Sequence, residues 1–101
     1  MNTDKIIEEI IIVDGHSDIP RDIYLKESEG KKNVFFNDHY PELKKGGVNI
    51  LFANIFTKGT KEDSLIQGLL EVEKILKITE ECEDIVLIKN KEDLDHVLKT
   101  K

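Results

Sequence analysis

Asp14-Gly15-His16-Ser17-Asp18 is the stretch whose residue types and spacing suit chemistry. An imidazole and a carboxylate two residues apart offer one nitrogen and one oxygen donor. That set suits zinc and also accepts manganese or cobalt. In extended backbone, residues two apart point the same way, so Asp14, His16 and Asp18 are expected to project together. Gly15 permits close backbone approach at that point. The same spacing has a plainer reading, a polar turn at a strand end in which Asp14 caps a backbone amide. A protein metal site takes more than two ligands, and no other part of the chain clearly supplies them.

The remaining candidates are weaker. His39 reads as a loop residue with a turn or packing role. His96 falls between Asp95 and Val97 on a helix whose apolar face is Leu94, Val97 and Leu98, so it is expected to face solvent. Cys82 sits among Glu80, Glu81, Glu83 and Asp84, a poor setting for a nucleophile, and reads as a bystander.

The elements that must position the motif follow from apolar patterning. Residues 4–9 read as one or two helical turns with Thr3 as N-cap. Residues 10–13 (IIIV) form a β-branched run, as expected of a strand buried on both faces, and it leads directly into the motif. Pro20 then ends the ladder. Residues 21–40 are polar and read as a long irregular loop. Pro41 suits the first position of a short helical turn, with Gly46 or Gly47 closing it. Residues 48–56 (VNILFANIF) are a second strand. The clearest helix spans 63–80: Leu65, Leu69, Val72 and Leu76 form a stripe that reads as core packing. Ser64 with Gln67 has capping-box spacing, and Thr60 with Asp63 is the alternative start. Residues 85–88 are a third short strand, and Asn90 caps a last helix. Strands alternating with helices imply an α/β fold with a parallel sheet, in which ligands bind at the carboxyl ends of the strands.

Composition excludes several function classes. The 101 residues carry 15 basic and 21 acidic side chains, a net charge of −6. A nucleic-acid binder needs a basic face to neutralise phosphates, and a peripheral anchor on anionic lipid needs the same. No apolar run is long enough to span a bilayer. Asp4, Glu8 and Glu9 interrupt any secretory leader, and a single cysteine fits a reducing compartment, so the cytoplasm is the expected location.

The run Ile12-Val13-Asp14-Gly15-His16-Ser17-Asp18-Ile19-Pro20 resembles the opening signature of the renal, or membrane, dipeptidase family of metallopeptidases. That signature is an apolar pair, D-G-H-x-D, then an apolar residue and proline. His39-Tyr40-Pro41-Glu42-Leu43-Lys44-Lys45-Gly46-Gly47-Val48 is similar to the segment leading into the family's second strand. The helix at 63–80 and the strand and helix at 85–99 follow the family's order. The resemblance implies a (β/α)8 TIM barrel with a binuclear metal site, typically zinc, on its C-terminal face. His16 and Asp18 match the first two metal ligands, both on one metal. Ser17 stands where asparagine is more usual, at a position whose side chain points away. A bridging glutamate and two later histidines complete the family's site, and they are expected beyond Lys101. A whole barrel takes about 250 residues. Residues 1–101 therefore read as the N-terminal part of a single barrel domain, inactive alone. The implied reaction is dipeptide hydrolysis, with two metals polarising the carbonyl and activating water, and Asp14 supporting the ligands from behind. Strands cut from a barrel have open edges, so a homo-oligomer or strand-exchanged dimer is expected. The alternative is a free-standing small α/β binding or structural module derived from such an enzyme, without catalysis.

Overall fold

The computed structural model describes residues 5–6 and 9–99. Thr3, the expected first cap, lies outside them. Of the expected N-terminal turns, Lys5, Ile6 and Glu9 are helical, and the Ile10 amide donates to the Ile6 carbonyl at 3.2 Å.

Strand β1 spans Ile12–Ser17 and strand β2 spans Val48–Ala53, paired in parallel as a two-stranded sheet. Between them lie helix α1 (Ile19–Ser28), a π-helical turn (Phe35–His39) and helix α2 (Tyr40–Gly46). Helix α3 (Lys61–Glu81) and helix α4 (Lys91–Lys99) follow. The fold is thus mixed α/β, with helix α1 packed against α3 and the π-turn against α2.

Helix boundaries follow local chemistry. Thr60 starts α3: its Oγ1 accepts from the Asp63 amide at 3.2 Å, the later of the two cap placements giving way to the earlier one. Asn90 caps α4 as expected, accepting from the Asp93 amide at 2.8 Å. Pro41 sits in the first turn of α2, and Gly47 closes that helix at φ 72°, where a Cβ would be strained.

Several expectations are corrected. The segment at 21–40 is mostly helical. Pro20, which does end the strand, also opens α1, since its fixed φ and missing amide hydrogen suit the first helical turn. The Asp22–Lys26 pair at i,i+4 then ties that helix to itself at 3.0 Å. Residues 85–88 carry no regular secondary structure and do not join the sheet, and β2 ends at Ala53 rather than at 56. Nor is the sheet covered on both faces: Val13 and Phe52 stand half-exposed.

The core is built elsewhere. Ile23 of α1, Val34 and Phe35 around the π-turn, and Ile78 of α3 are its buried members, with Phe36, Tyr40 and Leu43 packed beside them. Phe35 meets Phe36 edge to face at 5.2 Å between ring centroids and lies 5.7 Å from Tyr40. No strand residue belongs to this buried cluster. The stripe Leu65, Leu69, Val72 and Leu76, expected to be core, faces solvent instead, with Leu65 64% and Leu69 62% exposed.

Candidate metal centre at the strand ends

Parallel pairing puts the carboxyl ends of β1 and β2 side by side, and the Asn54 amide donates to the Ser17 carbonyl at 2.8 Å. The motif occupies the end of β1 itself, not the turn after it. Register is irregular there. Asp14 pairs with Leu51 and Ser17 with Ala53, so β1 spends one more residue than β2 over that interval. The extra residue bulges the strand at Gly15-His16, and a bulge re-aims side chains.

That bulge breaks the simple alternation expected of Asp14, His16 and Asp18. Asp14 turns back on its own strand, its Oδ1 accepting from the His16 amide at 3.1 Å. It fixes the His16 backbone and stands apart from the donor pair. His16 and Asp18 are brought together: Nε2 lies 3.2 Å from Asp18 Oδ1, with side chains 72% and 60% exposed. Ser17 between them is buried, and its Oγ accepts from the Ile19 amide at 3.3 Å, anchoring the start of α1. The plainer reading is thus seen at Asp14, which caps a backbone amide, while His16 and Asp18 lie in contact beyond it.

The donor set fits a divalent ion in chemistry and spacing. Two ligands at about 2.0–2.1 Å from one tetrahedral zinc stand roughly 3.3 Å apart, close to the separation of this pair. Two donors do not complete such a sphere. Among the described residues no group of three or more His, Cys, Asp or Glu side chains is placed to hold a metal.

Behind the pair lies a polar cluster that sequence patterning missed. Glu71 of α3 is 0% exposed, and its Oε1 accepts from the Phe56 amide at 3.3 Å. Its Oε2 is buried with no hydrogen-bond partner. Burial pushes the Glu71 pKa up, and the Asp18 charge adds to that, against the Phe56 amide and the Arg21 guanidinium. Arg21 Nη1 donates to Gln67 Oε1, and Gln67 Nε2 donates to the Lys58 carbonyl at 3.0 Å. Arg21 also lies over the Phe56 ring at 6.0 Å. The signal was available: Gln67, Glu71, Lys74 and Ile78 repeat the four-three-four spacing of the leucine stripe two residues out of phase.

The other histidines and the cysteine take structural places. His39 Nε2 meets Asp22 Oδ2 at 2.6 Å, tying the π-turn to α1, with Lys26 bridging Asp22 and Asp38. Burial opposes the Asp22 charge, but the bonds from Lys26 and His39 outweigh it and hold its pKa below the ordinary 3.8. His96 is exposed, as expected. Cys82 is half-buried, its Sγ 3.9 Å from the Tyr40 hydroxyl. Among the described residues no helix is long and apolar enough to cross a membrane. Comparison with protein-family models, with curated proteins and with solved structures found no match to this chain.

Proposed function

We propose that this chain is the N-terminal part of a metal-dependent dipeptidase built on a TIM barrel, and that His16 and Asp18 supply two ligands of one zinc ion. The observation that carries the reading is their 3.2 Å approach on a bulged, exposed end of a parallel strand. Zinc, when bound, supplies Lewis acidity and a nucleophilic water for dipeptide hydrolysis. The chain's own residues do the holding. Asp14 fixes the His16 backbone, Ser17 anchors α1, and Glu71 with Gln67 pins the segment after β2 beside the rim. The remaining ligands come from sequence outside these residues. The solvent-facing stripe on α3 and the open sheet edges support a further layer of protein, from the same barrel or from a second copy.

The test is activity of the complete gene product carrying this chain, loaded with zinc and given a panel of dipeptides. Hydrolysis that disappears in His16→Ala and Asp18→Ala is expected. Absence of hydrolysis across the panel, or activity indifferent to both substitutions, overturns the reading. The second reading is a free-standing α/β binding or structural module without catalysis. What favours it is the core, whose buried members all come from helices and the segment joining them rather than from the sheet.

A further inference from the structure

The segment joining β2 to α3 is fixed at both ends and held lightly between them. At one end the Asn54 amide donates at 2.8 Å to the carbonyl of Ser17, the residue between His16 and Asp18. At the other, Gly59 takes φ 112° and Thr60 caps α3. Residues 55–58 run between these points without regular secondary structure. Ile55 is 44% and Phe56 47% exposed, so apolar burial contributes little to holding them.

What holds them is polar and comes from α3. Gln67 grips Lys58 by both backbone groups: its Nε2 donates to the carbonyl at 3.0 Å, and its Oε1 accepts from the amide at 3.4 Å. Arg21 of α1 donates to the same Oε1. Glu71 Oε1 accepts from the Phe56 amide at 3.3 Å. A Cβ on Gly68 would meet Ile55 and Thr57 at 3.6 and 3.8 Å, so the segment lies directly on the helix there.

Glu71 is the member of this set that can change charge. It is 0% exposed, and among the described residues its Oε2 has no hydrogen-bond partner. A carboxylate buried with one bare oxygen is penalised, whereas the protonated carboxyl still offers Oε1 as an acceptor. Burial is the largest influence and favours the protonated form, with the Asp18 charge at the start of α1 adding to it. The Phe56 amide and the Arg21 guanidinium act the other way. The Lys58 ammonium lies over the Phe56 ring, 5.8 Å from its centroid.

We propose that residues 55–58 form a strap latched on α3 by the protonated Glu71 carboxyl. Ionisation of Glu71 releases the strap and lets water reach the carboxylate, while Asn54 and Thr60 keep its ends in place. The strap borders the proposed metal centre, but its release uses neither zinc nor catalysis, so the two readings fail separately.

The test is residue-resolved amide hydrogen exchange of the 101-residue chain from pH 4.5 upward, with a chelator present and rates corrected for intrinsic exchange. Above 4.5 the protection of the Phe56 and Lys58 amides is expected to fall by up to about tenfold per pH unit, then level beyond the folded value. Low urea should leave that exchange unchanged, because a local opening exposes little surface, whereas the Ile23 and Ile78 amides should follow the urea slope of global unfolding. Glu71→Gln keeps the acceptor without a charge to gain, and should hold Phe56 protection constant with pH. Gln67→Ala should lower protection of the strap at every pH and keep the pH slope. Protection of Phe56 that is flat with pH in the parent chain, or an equal fall in Glu71→Gln, would overturn the proposal. So would a urea slope at Phe56 equal to that at Ile23, or a strap as protected in Gln67→Ala as in the parent.

Discussion

Helix α3 has two sides, and they contradict each other's composition. One carries Leu65, Leu69, Val72 and Leu76 and faces solvent. The other carries Gln67, Glu71, Lys74 and Ile78, offset by two residues and so by roughly 200° around the helix. This more polar side is the one turned inward. Glu71 and Ile78 are buried on it, Gln67 meets Arg21, and Lys74 meets Glu27. The helix is therefore docked by directional polar contacts around buried Ile78, with half-buried Ile75 packed beside it against the core. Its larger apolar surface is left for something else. Apolar periodicity identifies a helix and a stripe, but the partner decides which side is covered.

The sharpest way to break this comparison is to remove apolar volume from each side. Ile23→Ala, at the centre of the inward contact with only 1% exposure, should cost about 2–5 kcal/mol in urea unfolding. Leu69→Ala on the outer side should change the same measurement by no more than about 0.5 kcal/mol. Equal losses from the two would mean that the stripe is covered in solution.

Glu71 sharpens the inner side. Its pKa is raised in the folded chain, so the native state keeps its proton at pH values where the unfolded carboxyl, at 4.5, has lost it. Stability should fall as pH rises from 4.5 through the folded value and then level off. Glu71→Gln should flatten that fall and stabilise the chain at pH 7 by about 1 kcal/mol, read from unfolding midpoints across pH. A pH slope identical to that of the parent chain would show that the carboxyl is solvated.

Asp22 behaves oppositely. Its folded pKa is depressed, so its contribution is present above the ordinary 3.8 and is lost as pH falls below that through the folded value. The group is 37% exposed on its side chain, and solvent screens the pairs. Asp22→Asn should therefore cost only about 0.5 kcal/mol at pH 7 and nothing once the parent is protonated, as thermal unfolding at both pH values would read.

The smallest effect on stability is expected from Leu65→Ser/Leu69→Ser, yet this variant carries the most information about the outer side. If the stripe joins copies of the chain, sedimentation should show the variant shifting towards monomer. An unchanged sedimentation profile would remove α3 from any such interface.

The strand ends offer the same lesson at a smaller scale. The sequence placed His16 and Asp18 after an apolar run and before a proline, and these two side chains do meet. Asp14 was expected beside them by alternation, and one bulged residue turned it back on the His16 amide. Bulges depend on how the neighbouring strand registers, which residue spacing within one strand does not contain. Likewise the polar segment at 21–40 yielded Ile23, Val34 and Phe35, the centre of the core, because few apolar residues suffice where helix, π-turn and α3 converge.

By itself the sequence determined the two parallel strands, the long helix α3, the Asn90 cap, the role of Pro41 and the closeness of His16 and Asp18, while it left the start of α3 open between Thr60 and Ser64 and the close of α2 open between Gly46 and Gly47. These rest on local geometry, where neighbours within a few residues set dihedral angles and hydrogen bonds. Tertiary structure alone decided the bulge at Gly15-His16, the inward side of α3 and the burial of Glu71 behind the rim. Each of these depends on which segments meet across long sequence separations, and that is settled by packing rather than by pattern.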